Sequence, residues 1–153
     1  MKRRLIFLAA VHLAYWIATD GPVTFASAEM LEFDGWKPSS PRDEIRPDFA
    51  INKTGGPEGH GGLVIRHGNR EGLDGAWTRT FDVEGDRYYS ITAYGRVVGV
   101  SNPRYHTYVE LLFHDPNGGS VRDQRVGLTC VPYFVPDVGI DQRGWMKFTG
   151  IYY

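Results

Sequence analysis

WTRTFDVEGDRYYSITAYGRVV, residues 77–98, decides the fold class of this chain. In its first half Trp77, Arg79, Phe81 and Val83 alternate with Thr78, Thr80 and Asp82, a period of two that belongs to an extended strand. Glu84-Gly85-Asp86 reads as a turn. The second half alternates again, with Tyr89, Ile91 and Ala93 on one face and Tyr88, Ser90, Thr92 and Tyr94 on the other. A run of 22 residues holding two strands and one turn leaves no room for a helix. The chain is expected to be all-β.

Working outward, the same pattern recurs. Thr107 to His114 should place Val109, Leu111 and Phe113 toward a core, and Asp115-Pro116-Asn117-Gly118-Gly119 reads as a hairpin turn into Ser120 to Gln124. Leu63-Val64-Ile65 is a compact apolar strand, Leu31 to Trp36 a first strand, and Ile45 to Ile51 a weaker one interrupted by Pro47. Trp145 to Tyr152 forms a late strand. No capped run of three helical turns is present. Short strands with frequent turn signals predict a jelly-roll-like antiparallel β-sandwich.

The beginning has a different character. Lys2, Arg3 and Arg4 precede an apolar stretch from Leu5 to Ala18, and Ala26-Ser27-Ala28 offers a small-x-small cleavage site. Residues 1–28 therefore read as an export signal, since Thr19, Asp20, Gly21 and Pro22 end the apolar run short of a bilayer span. Its removal leaves one domain, residues 29–153, and takes the net charge from −1 to −3. A mildly acidic, unclustered surface gives no reason to expect nucleic acid, or a membrane once the signal is cut. Expected localisation is periplasmic, cell-surface or extracellular. Cys130 is the only cysteine, so no internal disulfide can form; its setting, Leu128-Thr129-Cys130-Val131, predicts a buried and inert thiol.

Several blocks carry a resemblance. Gly35-Trp36, Ser40-Pro41-Arg42-Asp43-Glu44-Ile45-Arg46-Pro47, Arg70-Glu71-Gly72-Leu73-Asp74-Gly75 with Trp77 and Phe81, Tyr88-Tyr89, Pro103-Arg104 and Gly144-Trp145 lie between Phe33 and Tyr153. Together they resemble the N-terminal CenC-like, carbohydrate-binding-module-like domain of secreted bacterial carbon–nitrogen hydrolases of the nitrilase superfamily. The resemblance implies a galactose-binding-like jelly roll acting as an accessory to a catalytic domain. Neither the closing strands of such a domain, nor the hydrolase domain with its Glu-Lys-Cys set, has a counterpart here. The chain is thus expected to be an incomplete copy of the module.

Sugar recognition needs flat aromatic faces beside planar polar groups. Tyr88, Tyr94, Trp77 and Tyr105 are the candidate faces, and Arg79, Arg96, Asn102 and Arg104 the candidate hydrogen-bonding neighbours. Each has a plainer reading: Trp77 shares a face with Phe81 and Val83 and suits a core. Arg42, Asp43, Glu44 and Arg46, like Arg70, Glu71 and Asp74, suit a structural loop network better than a ligand.

Other chemistry is poorly served. Gly55-Gly56-Pro57-Glu58-Gly59-His60-Gly61-Gly62 lacks the Lys-Ser/Thr ending of a phosphate loop and reads as a mobile surface loop. His60, His67, His106 and His114 show no metal-ligand spacing. No cofactor is expected; Asp34, Glu44, Asp137 and Asp141 are oxygen donors that a structural calcium could use, without a calcium-loop spacing. Asn52-Lys53-Thr54 is a formal glycosylation sequon. No nucleophile elbow or convergent carboxylate pair can be read, so no catalytic residue is assigned. The expected function is non-catalytic binding, of carbohydrate first. Docking against a hydrolase domain, or a hydrolase fragment inactive on its own, are the alternatives.

Overall fold

The computed structural model describes residues 2–12, 23–24, 33–85, 87–100, 102–121, 130–134 and 141–152. Their secondary structure is almost entirely antiparallel strand. In chain order the strands are β1 (Lys2–His12), β2 (Val23–Thr24), β3 (Lys37–Ser39), β4 (Asp48–Asn52), β5 (Gly62–Arg66), β6 (Asp74–Glu84), β7 (Tyr89–Gly95), β8 (Thr107–His114), β9 (Cys130–Phe134) and β10 (Met146–Tyr152). One four-residue helix, α1 (Pro103–His106), precedes β8. Three sheets result, with orders β3-β6-β1-β8-β9, β2-β4-β5 and β10-β7.

Strands β7 and β8 behave as their alternation requires, but β6 does not: Gly75, Ala76 and Trp77 are buried in succession, while Phe81, expected on a core face with Trp77 and Val83, is exposed under the Arg79 guanidinium. Along β7, residues 89, 91, 93 and 95 are half-buried while 90, 92 and 94 are exposed. In β8, Thr107, Val109 and Leu111 are buried. Both smaller sheets pack on the large one through this alternation. Val109 and Leu111 of β8 meet Met146 and Phe148 of β10, with Val83, Ile91 and Ala93 against them. Phe49 of β4 and Ile65 of β5 meet Trp77 of β6. Trp36 touches both clusters and joins them.

Trp77 is 1% exposed. Its indole N–H donates to the Val64 carbonyl at 3.1 Å, and its ring meets Phe49 edge-on at 5.4 Å. That satisfies the only polar atom of a large buried side chain.

Two expected strands are corrected. Instead of an extended Leu31–Trp36, Phe33 and Trp36 pair with each other across Asp34 (φ +49°) and Gly35 (φ +76°), and the strand begins at Lys37. Asp-Gly supplies the two positive φ values of a tight turn, a local preference that outweighs the flanking apolar residues. Residues 31–32 lie outside the described set. The second strand starts at Asp48 rather than Ile45, because Asp43–Ile45 form a 3₁₀ turn and Pro47 has no N–H for a ladder. The turn at Asp115 forms as expected: Asp115 Oδ1 accepts the N–H groups of Asn117 and Gly119 at 2.8 Å, and His114 bridges to Ser120. Residues 122–124 lie outside the described set, as do Asp137 and the Cys130 side chain.

Residues 2–12, which include the first part of the segment read as the core of an export signal, occupy the middle of the large sheet. β1 pairs with β6 from Lys2↔Glu84 to His12↔Asp74, and with β8 from Arg4↔His114 to Val11↔Thr107. Among the described residues no helix is long and apolar enough to cross a membrane.

The two blocks most specific to the resemblance meet in space. Arg70 donates to the Arg46 carbonyl at 2.7 Å and lies 3.4 Å from Asp48, while Ser40 Oγ donates to the Asp74 carbonyl at 2.7 Å. Gly75 sits against Pro47, where an added Cβ would come within 2.6 Å of the ring. These loops are therefore tied together by side chains that donate to backbone carbonyls, an arrangement in keeping with a structural loop network.

Candidate functional site

Between the two smaller sheets, above the large one, lies a cavity of about 380 Å³. Trp36, Tyr94, Trp145 and Phe148 border it, Trp77 forms part of its floor, and Pro57 belongs to its rim. A second cavity of similar size shares Gly56, Pro57, Gly62, Leu63 and Trp145 with the first, so the two form one groove. Its far half is mixed in character and carries the polar residues Asn52, Thr54, Glu58, Arg96 and Arg143 at its border.

The groove is held by backbone bonds that the local sequence makes available. Asp141 Oδ1 accepts the N–H of Arg143 at 2.8 Å and of Trp145 at 2.9 Å, and Gly144 (φ +78°) returns its N–H to the Asp141 carbonyl at 3.0 Å. This Asp-led turn presents Arg143 and Trp145 side by side. The Trp145 N–H bond holds the Asp141 carboxyl below its ordinary value, assisted by the Arg143 N–H and charge and opposed by desolvation. Arg143 also donates to the Pro57 carbonyl at 2.8 Å, tying the turn to the glycine loop 86 residues away.

That loop is anchored at its base by Asn52, which is 2% exposed and accepts the Thr54 N–H at 3.1 Å. Gly61 N–H closes the loop onto the Gly55 carbonyl at 2.9 Å. A buried, bonded Asn52 leaves its sequon no accessible amide.

Arg96 is the least compensated charge in the groove. Its guanidinium lies 5.3 Å from the centre of the Trp145 ring, a cation–π contact. Its Nε is buried and has no hydrogen-bond partner, and among the described residues no carboxylate pairs with it. Arg143, by contrast, has Asp141 at 3.5 Å, and Glu58 is turned toward His60 at 3.7 Å.

Of the side chains singled out from the sequence, Tyr94, Arg96 and Trp77 are brought together at the groove. Tyr94 is 47% exposed, whereas Trp77 has only its buried ring beneath the floor. Tyr88 (74% exposed) and Tyr105 (81% exposed, on α1) border neither cavity. Arg79 is committed elsewhere, 2.7 Å from Asp34 Oδ2 and over the Phe81 ring. Asn102 flanks α1 on the surface without capping it, and Arg104 lies on α1 with its side chain outside the described set. Sequence reasoning did not single out Trp36, Asn52, Arg143 or Trp145 as groove residues. The signals were Asp-Gly before Trp36 and the Asp141-to-Gly144 turn before Trp145, which stiffen the chain next to an aromatic.

The described carboxylates and histidines include no group of three or more placed to hold a metal ion. Asp34 is paired to Arg79 and Asp141 caps its turn, while Glu44 lies in the 3₁₀ turn. No family model, curated protein or solved structure matches the chain.

Proposed function

We propose that this chain is an exported, non-catalytic binding module whose ligand is carbohydrate, built on a jelly-roll-like sandwich and serving as an accessory to a carbon–nitrogen hydrolase. One observation carries the reading: Trp36, Tyr94 and Trp145 border an apolar cavity that opens directly into a second one bordered by Arg96 and Arg143. A pyranose offers the matching pair of surfaces, C–H faces for rings and hydroxyls for planar polar groups. The reading of residues 1–28 as an export signal, and the resemblance carried by the Arg-Asp-Glu-Ile-Arg-Pro and Arg-Glu-Gly-Leu-Asp-Gly blocks, support the accessory role. Cleavage after Ala28 would take β1 out of the large sheet and open the edges of β6 and β8.

A screen of soluble polysaccharides by affinity electrophoresis tests the sugar reading. Tyr94→Ala and Trp145→Ala should each weaken retention about tenfold while the fold persists. No retention of the folded native chain by any polysaccharide would refute it. A docking role is favoured by one separate observation, the exposure of Ile151 (73%) and Tyr88 (74%) at the same end of the β7–β10 pair, where the start of β7 faces the end of β10. Association with a hydrolase domain, abolished by Ile151→Asp and untouched by Tyr94→Ala, would establish that role instead.

A further inference from the structure

We infer that the groove takes an acidic sugar, a uronate, whose carboxylate binds Arg96; this rests on the carbohydrate reading and specifies its ligand. Arg96 combines three properties that rarely coincide without a ligand. Its Nε is withdrawn from water, it has no acceptor, and its charge has no carboxylate partner among the described residues. A guanidinium partly removed from water without a counter-charge is costly to hold, and an anion entering the cavity relieves that cost.

The surrounding groups direct the anion to this position. Arg143 is already engaged by Asp141 and by the Pro57 carbonyl. The side chain of Glu58, a carboxylate bordering the second cavity, is 74% exposed to solvent, with His60 at 3.7 Å. The Trp145 ring lies 5.3 Å from the guanidinium, and the planar fork of N–H groups that an arginine carries matches a planar carboxylate. The neighbouring cavity, with Trp36 and Tyr94, then receives the sugar ring or the next residue of a polymer.

The test compares one polymer in two charge states on the full native chain: de-esterified polygalacturonate, and the same polymer methyl-esterified, with neutral galactan and dextran sulfate alongside. Binding to the free acid should exceed binding to the ester at least about tenfold. Arg96→Gln should erase that difference, and Arg96→Lys should restore it only in part. If Arg96→Gln does not fold, the acid-to-ester ratio on the native chain decides alone. Equal binding of acid and ester, or binding of the sulfated polymer only, overturns the inference. Retention of neutral galactan with no preference for acid overturns it while leaving the carbohydrate reading intact. A folded chain that binds none of the four overturns both.

Discussion

Replacing Trp77 by Phe separates a structural ring from a ligand-binding one. The substitution keeps an aromatic against Phe49 and Ile65 but removes the indole N–H that donates to the Val64 carbonyl at 3.1 Å. A neutral hydrogen bond contributes about 1 kcal/mol net. Val64 is 3% exposed, so water cannot replace the lost donor, and the orphaned carbonyl adds about 1 kcal/mol more. The smaller ring also leaves a gap in a buried cluster, which acts in the same direction. The sum is about 2 kcal/mol of lost stability. With a urea m-value of about 2 kcal/mol/M for a domain of this size, the midpoint should fall by about 1 M. Equilibrium urea unfolding followed by tryptophan fluorescence measures it, since Trp36, Trp145 and Trp16 remain as reporters. A midpoint within about 0.3 M of native, near the precision of such curves, would refute the assignment of Trp77 to the core.

Arg143→Ala should change stability by less than about 1 kcal/mol, because the side chain is 62% exposed, yet weaken polysaccharide retention several-fold by freeing the glycine loop from the turn. Equal retention by the variant would show that the Pro57 bond does not shape the groove. Asp141 has a folded pKa below its ordinary 3.8, so its stabilising effect is complete above that value and is lost as pH falls through the lower folded pKa. The stability difference between native and Asp141→Asn should therefore begin to shrink only once pH falls below about 3.8 and go on shrinking through the lower folded pKa; a difference that shrinks already well above pH 3.8, or does not shrink at all in acid, would contradict this. Residues 29–153 should unfold at lower urea than residues 1–153, because β1 pairs along both β6 and β8. Equal midpoints would mean that the large sheet does not depend on β1.

Much of the fold was legible because a strand's period of two is a local property. Tyr89 to Tyr94 and Thr107 to Leu111 alternate in sequence and in burial alike. Where local turn chemistry competes with apolar content, the turn prevailed, as Asp34-Gly35 and Pro47 show. The groove was only half legible. Tyr94 and Arg96 could be named as an aromatic and a planar polar side chain, but Tyr88, Tyr105 and Arg79 are of the same residue types and border neither cavity. Residue type cannot distinguish them, since what matters is which neighbours each meets across the layers.

By itself, the sequence determined the all-β class, most of the principal strands, the faces of β7 and β8, and the Asp115 turn. Each of these follows from forces between residues a few positions apart. Only the tertiary structure decided that residues 2–12 run between β6 and β8, that Arg143 reaches a carbonyl 86 positions away, and that Trp36 joins two core clusters. Arg96 illustrates the division. Its charge is written in the sequence, but its burial beside Trp145 without an acceptor exists only once β7 and the Asp141 turn are brought together.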